Sequence, residues 1–183
     1  MTRFSDANYT QKMSIHNSIQ NDAKTPTARA HHIALRVSDL ERSVEFFTEA
    51  LGARWLTDPV PLEDATLQNY FGCPPGGAAR YAFIGFDFDQ PAFELFEFAE
   101  PRVPIGLTNQ WEEGLMHWCF TVPDVEAALE RIEAAGGKLF GDLRKYDDAT
   151  QLYFRDPDGN LFELVSISLE ELVGRTCLRT QAA

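Results

Sequence analysis

The chain has 183 residues, 44% of them hydrophobic and 24% charged, enough for one domain with a substantial core or for two fused halves. Its 28 acidic residues outnumber 16 basic ones, and the formal net charge of −12 repels polyphosphate and anionic lipid, so neither nucleic acid nor membrane is an expected partner. No apolar run of spanning length and no apolar leader is present, and the cysteines, Cys73, Cys119 and Cys177, are odd in number and lack C-x-x-C spacing, which points to the reducing cytoplasm.

Residues 1–30 carry Asn, Gln, Ser and Thr throughout without a sustained apolar period, and a flexible arm is expected there. The alternating run His31-His32-Ile33-Ala34-Leu35-Arg36-Val37 predicts a strand, and Ser38-Asp39 is a helix-start signal. Leu40, Val44, Phe47 and Leu51 follow at helical spacing, Gly52 ends that helix, and Arg54-Trp55-Leu56 opens a second strand. The stretch 57–80, with Pro74-Pro75-Gly76-Gly77 inside it, reads as a long loop.

Segment 32–55 repeats in segment 117–140 at an offset of 85: His32 meets His117, Val37 meets Val122, Asp39 meets Asp124 and Gly52 meets Gly137. Phe93-Glu94-Leu95 recurs as Phe162-Glu163-Leu164 at an offset of 69, and 85 − 69 = 16 residues are therefore extra in the first half. Each half reads strand, helix, strand, strand, strand, with a hairpin at Asp87–Pro91 in one and at Asp156-Pro157-Asp158-Gly159 in the other. The expected fold is α+β: tandem βαβββ modules over 31–100 and 115–167, joined by a linker at 101–114, form curved mixed sheets around a metal-binding cavity. A short helix and tail, 168–183, begin at the capping box Ser168-Leu169-Glu170-Glu171.

Strand alternation puts Ile33, Leu35 and Val37 on the helix side and turns His32, Ala34 and Arg36 inward. The same count turns His117, Cys119 and Thr121 inward, and on the last strands Glu94, Phe96 and Glu163. Two inward carboxylates cost several kcal/mol and repel each other unless a cation lies between them. One divalent ion held by His32, Glu94, His117 and Glu163 meets that requirement, and a nitrogen–oxygen donor set suits Zn, Ni, Co, Mn or Fe(II). A hydrogen-bonded structural histidine is the plainer reading of either His alone; the repetition in both halves favours the ion. Phe96 and Phe98 are candidates to line an apolar substrate pocket, with Thr121 beside them. Asp156-x-Asp158-Gly159 lacks the remaining ligands of a calcium loop and is expected to be a turn.

With these motifs the chain resembles the vicinal oxygen chelate superfamily of glyoxalase-like proteins over residues 31–167. The resemblance implies chelation of a small-molecule substrate through adjacent oxygens, with a divalent cofactor stabilising an enolate. By similarity to glyoxalase I and methylmalonyl-CoA epimerase, Glu163 or Glu94 is the base, and the reaction is a lyase or isomerase step on a small oxygenated carbonyl compound. Arg36 matches an arginine that holds a substrate carboxylate in glyoxalase I; an ion pair with a nearby Glu is the alternative. After Glu94 the chain lacks the asparagine-bearing stretch with which glyoxalase I recognises glutathione, so a different substrate is expected. The alternatives are an iron(II) extradiol dioxygenase using His32, His117 and Glu163, and a sequestering protein of the bleomycin-resistance type. A homodimer is expected, with the halves paired within one chain or between two.

Overall fold

The structure, a computed structural model, describes residues 28–87, 90–103, 114–146 and 148–174. The chain divides into two compact units, Met1–Ala30 and His31–Ala183. The expected arm lies in the first, through residue 27 outside the described residues, as do most of the 101–114 linker and the tail after residue 174.

In the second unit the order is β1 (His32–Val37), α1 (Leu40–Leu51), β2 (Arg54–Trp55), β3 (Val60–Leu62), α2 (Asp64–Phe71), β4 (Ala78–Gly85), β5 (Ala92–Glu100), β6 (Trp118–Thr121), α3 (Val125–Ala134), β7 (Lys138–Lys145), β8 (Thr150–Arg155) and β9 (Leu161–Val165). One sheet runs β1-β5-β4-β2 with β3 also on β4, and the other runs β6-β9-β8-β7. β1 is parallel to β5 and β6 to β9, while the remaining pairs are antiparallel. Both sheets are therefore mixed, and the duplicated module predicted from the repeat is present twice.

Local chemistry explains the helices. Asp39 and Asp124 cap α1 and α3 by accepting from the backbone N–H groups of Arg42 and Ala127, each at 2.9 Å. Gly52 ends α1 at φ +78°, a conformation glycine adopts without steric cost. Its sequence counterpart Gly137 has a different duty: a Cβ there would come within 2.6 Å of Ile132 and 2.9 Å of Phe46, so only glycine lets α1 lie this close. The capping box closes as expected, with Glu171 N–H donating to Ser168 Oγ and Ser168 N–H to Glu171 Oε2.

The 57–80 insertion differs from the loop read in the sequence, because it contains β3 and α2. Helical periodicity failed to announce α2 since Leu67 is its one buried residue. Pro74-Pro75-Gly76-Gly77 is fixed rather than free, with the N–H groups of Gly76 and Gly77 donating to Asp64 at the start of α2.

One core serves both halves. Phe93 of β5 packs against Trp118, Phe120 and Phe162, and Phe47 of α1 stacks on Phe93 and meets Phe162 edge-on. Phe46 reaches Phe154 of β8. The helix-side faces of the two sheets thus bury each other, together with Leu40, Val44, Ala128 and Ile132, and each fully buried large side chain contributes about 1.5–3 kcal/mol. Arg42 adds a polar link between the halves, donating to Asp158 at 2.7 Å, and the Ser43 hydroxyl donates to the same carboxylate. No helix among the described residues is long and apolar enough to cross a membrane.

Candidate metal centre

Alternation along β1 and β5 leaves His32 and Glu94 on the face turned away from the shared core, and the same holds for His117 and Glu163 beside β6 and on β9. His32 Nε2 lies 3.3 Å from Glu94 Oε2. His117 Nε2 lies 3.0 Å from Glu163 Oε2. The parallel register explains the match: Ala34 pairs with Glu94 and Cys119 with Glu163, so each histidine stands two residues before the partner of its own glutamate.

The structure brings the candidate ligands together as two pairs and not as a foursome. No group of three or more His, Cys, Asp or Glu side chains that could hold a metal occurs among the described residues. The cause is the common core: burying the two helix-side faces against each other turns the two His/Glu faces apart. Each pair nevertheless fits a cation. Two donors on adjacent positions of an ion with bonds of about 2.1 Å stand about 3.0–3.4 Å apart, the separation seen in both pairs. His117 Nδ1, the ring nitrogen that does not face Glu163, is buried with no hydrogen-bond partner among the described residues.

Farther along the same strands lies an open cavity of about 360 Å³, with Ala34, Arg36, Phe96 and Phe98 in its lining and Phe71 and Cys73 at its side. Phe71, at the end of α2, packs its ring 5.4 Å from Phe96 and 6.0 Å from Phe98. The insertion therefore walls the cavity. Arg36 donates to the carbonyl of Val103 rather than to a carboxylate. Thr121 stands apart, its hydroxyl 3.4 Å from the Ile167 carbonyl that accepts from it. His31 is exposed, and its Nδ1 lies 2.8 Å from His32 Nδ1.

Residues that sequence reasoning missed surround the second pair. Gln151 Nε2 donates to Glu163 Oε1, and it also donates to the Tyr153 hydroxyl at 3.5 Å. Burial and then the Glu163 charge raise Tyr153 above the usual phenol range, so it remains a protonated donor. Counting back from the 156–160 turn, which pairs Arg155 with Leu161 and Tyr153 with Glu163, was the signal that could have found both. That turn is a hairpin and no calcium loop, since the Asp156 carboxylate accepts from the backbone of Asp158 and from the backbone and side chain of Asn160.

Two mixed sheets of βαβββ design with a His/Glu pair on each define a glyoxalase-fold protein. The chain belongs to the Glyoxalase/Bleomycin resistance protein/Dioxygenase superfamily, whose family model matches residues 29–164. It is 31% identical to a 2-epi-5-epi-valiolone epimerase from Actinomyces over 75% of this chain and 78% of that protein. It is also 31% identical to a lactoylglutathione lyase of Pseudomonas aeruginosa, over 86% and 93% of the two chains. Among solved structures, a glyoxalase family protein from Bacillus cereus shares the fold with a TM-score of 0.68 at 21% identity, covering 78% of this chain and 96% of that one.

Proposed function

We propose that the protein is a metal-dependent lyase or isomerase acting on a small oxygenated carbonyl compound, with its ion held by His32 and Glu94 of one copy and His117 and Glu163 of another. The observation that carries the reading is the recurrence of one imidazole and one carboxylate, at donor spacing, at equivalent places beside or on the strands of both sheets. Because the shared core turns these pairs apart within a chain, a homodimer that presses the first face of one copy on the second face of the other is the simplest way to assemble four ligands. Relatives named as an epimerase and as a lactoylglutathione lyase support this reaction class.

A divalent ion bound there would supply Lewis-acid polarisation of two adjacent substrate oxygens. The chain's own residues do the rest. A glutamate of the site takes the hydrogen next to the carbonyl and returns it to the same or the neighbouring carbon. Phe71, Phe96 and Phe98 receive an apolar substituent and exclude water, and Arg36 at the same cavity meets a negative group on the substrate.

The test is hydrogen exchange at carbon, followed by NMR in D2O, on protein reconstituted with Zn(II), Ni(II), Co(II), Mn(II) or Fe(II). Small α-hydroxycarbonyl compounds and the adduct of methylglyoxal with glutathione serve as probes. Metal-dependent exchange of the hydrogen next to the carbonyl is the expected result. Oxygen uptake on a catechol with no such exchange would establish the ring-cleaving reaction instead.

A further inference from the structure

Among the described residues, His31 is the one histidine outside the two His/Glu pairs. Its Nδ1 lies 2.8 Å from His32 Nδ1, with the ring centres 5.0 Å apart and the planes at 79°. On the other side of the His32 ring, Nε2 faces Glu94 Oε2 at 3.3 Å. Glu94, His32 and His31 therefore form a chain of one carboxylate and two imidazoles. The second half lacks the last member of that chain. At the offset of 85, Met116 stands where His31 does, and His117 Nδ1 is buried with no hydrogen-bond partner among the described residues.

A neutral imidazole carries one N–H and one lone pair, and the hydrogen bond made by one nitrogen decides what the other presents. Without an ion, the Glu94 carboxylate favours an N–H at His32 Nε2, so His32 Nδ1 is an acceptor and His31 Nδ1–H donates to it. An ion at His32 Nε2 requires the lone pair there. The ring proton then belongs on Nδ1, and that N–H needs an acceptor. A backbone carbonyl or a carboxylate serves only the second state, because it accepts and never donates. An imidazole serves both. When His32 turns to its Nδ1–H form, His31 turns to its Nε2–H form and offers Nδ1 as the acceptor. Each ring carries one N–H before and after, so both stay neutral and the pair releases no proton.

We propose, on the metal-dependent reading above, that His31 is a positioning residue that satisfies His32 Nδ1 in both the ion-free and the ion-bound centre by exchanging the donor and acceptor roles with it. The duplicated halves differ in this respect. His117 must take the same Nδ1–H form to hold an ion through Nε2, and among the described residues nothing accepts from it. A buried N–H left without a partner is costly, so the His32 side is the better prepared of the two to receive an ion.

The test uses the full-length protein at about pH 8, where an ordinary imidazole is neutral. Long-range proton–nitrogen NMR correlations report which ring nitrogen carries the hydrogen. They are expected to show His32 in the Nε2–H form before Zn(II) is added and in the Nδ1–H form afterwards, with His31 changing in the opposite sense. Zn(II) affinity is measured by competition with a chromophoric chelator for wild type, His31→Leu, His31→Asn and the mirror variant Met116→Leu, each first shown to keep its melting temperature. His31→Leu removes both hydrogen-bonding roles and should weaken Zn(II) binding by about tenfold, the lower end of the range for residues that orient a metal ligand. In His31→Asn the amide oxygen stands near the place of Nδ1 and restores the acceptor, so most of the affinity should return, while Met116→Leu matches wild type. The Co(II) absorption spectrum should change in His31→Leu and revert in His31→Asn. Equal Zn(II) affinity in wild type and His31→Leu, or a His31 ring whose hydrogen stays in place when Zn(II) binds, overturns the proposal and leaves the metal centre standing. Failure of the wild-type protein to bind Zn(II), Ni(II) or Co(II) overturns the metal-centre reading itself and the proposal with it.

Discussion

Phe93 on β5 and Phe162 on β9 occupy matching places, are each 1% exposed, and pack with ring centres 6.3 Å apart. One residue further on, Glu94 and Glu163 occupy matching places too, yet among the described residues one has His32 as its single polar side-chain contact and the other is held by Gln151 and His117. Packing toward a common core demands the same side chain from both halves, because each must fill volume against the other. The outward faces are under no such demand, and there the copies have diverged into a held carboxylate and a loosely held one.

The sharpest way to break this comparison is to remove the core half of it. Phe93→Ala and Phe162→Ala should each lower the free energy of unfolding by about 3–5 kcal/mol, as truncation of a fully buried aromatic does. The two losses should be alike, and each should come as one cooperative transition in urea monitored by tryptophan fluorescence and circular dichroism. Two separate transitions would show that the halves have independent cores.

A smaller effect separates the two hairpin turns. Asp87 is exposed and pairs with Arg54 at 3.2 Å, whereas its counterpart Asp156 is buried, and burial pushes its carboxyl up to about 6 despite three N–H donors. The folded state therefore holds the Asp156 proton more tightly than the unfolded chain does. The stability this proton confers is complete below the ordinary value of 3.8 and is lost as pH rises through about 6, by up to about 3 kcal/mol. Urea midpoints taken across that window should fall more steeply for wild type than for Asp156→Asn, while Asp87→Asn follows wild type. Parallel curves for wild type and Asp156→Asn would show that Asp156 stays ionised throughout.

Much of this architecture was legible before any coordinates. The offset of 85 between His32 and His117 located the repeat, and the caps Asp39 and Asp124 with the glycine after α1 located its helices, since these signals depend on neighbours a few residues away. Alternation likewise placed Ile33 and Leu35 toward the core and His32 and Glu94 away from it. The helix in the insertion stayed hidden because a segment with one buried residue carries no periodic stripe. Gln151 and Tyr153 stayed hidden because a donor's role depends on cross-strand register, which alternation alone does not fix. The division of the four candidate ligands into two pairs was invisible for a larger reason: whether two sheets share their helix-side or their opposite faces is decided by packing across the whole chain.

That division is open to a complementation experiment. His32→Ala with Glu94→Ala in one chain, and His117→Ala with Glu163→Ala in a second, each remove one pair. Neither double variant alone should retain tightly bound Zn(II). When the two chains, carrying different affinity tags, are co-produced and the mixed dimer is isolated, one complete set of four ligands is restored, and about one Zn(II) per dimer should return together with carbon-bound hydrogen exchange. If the ion is instead held by all four side chains of a single chain, the mixed dimer will contain no more metal than either variant by itself.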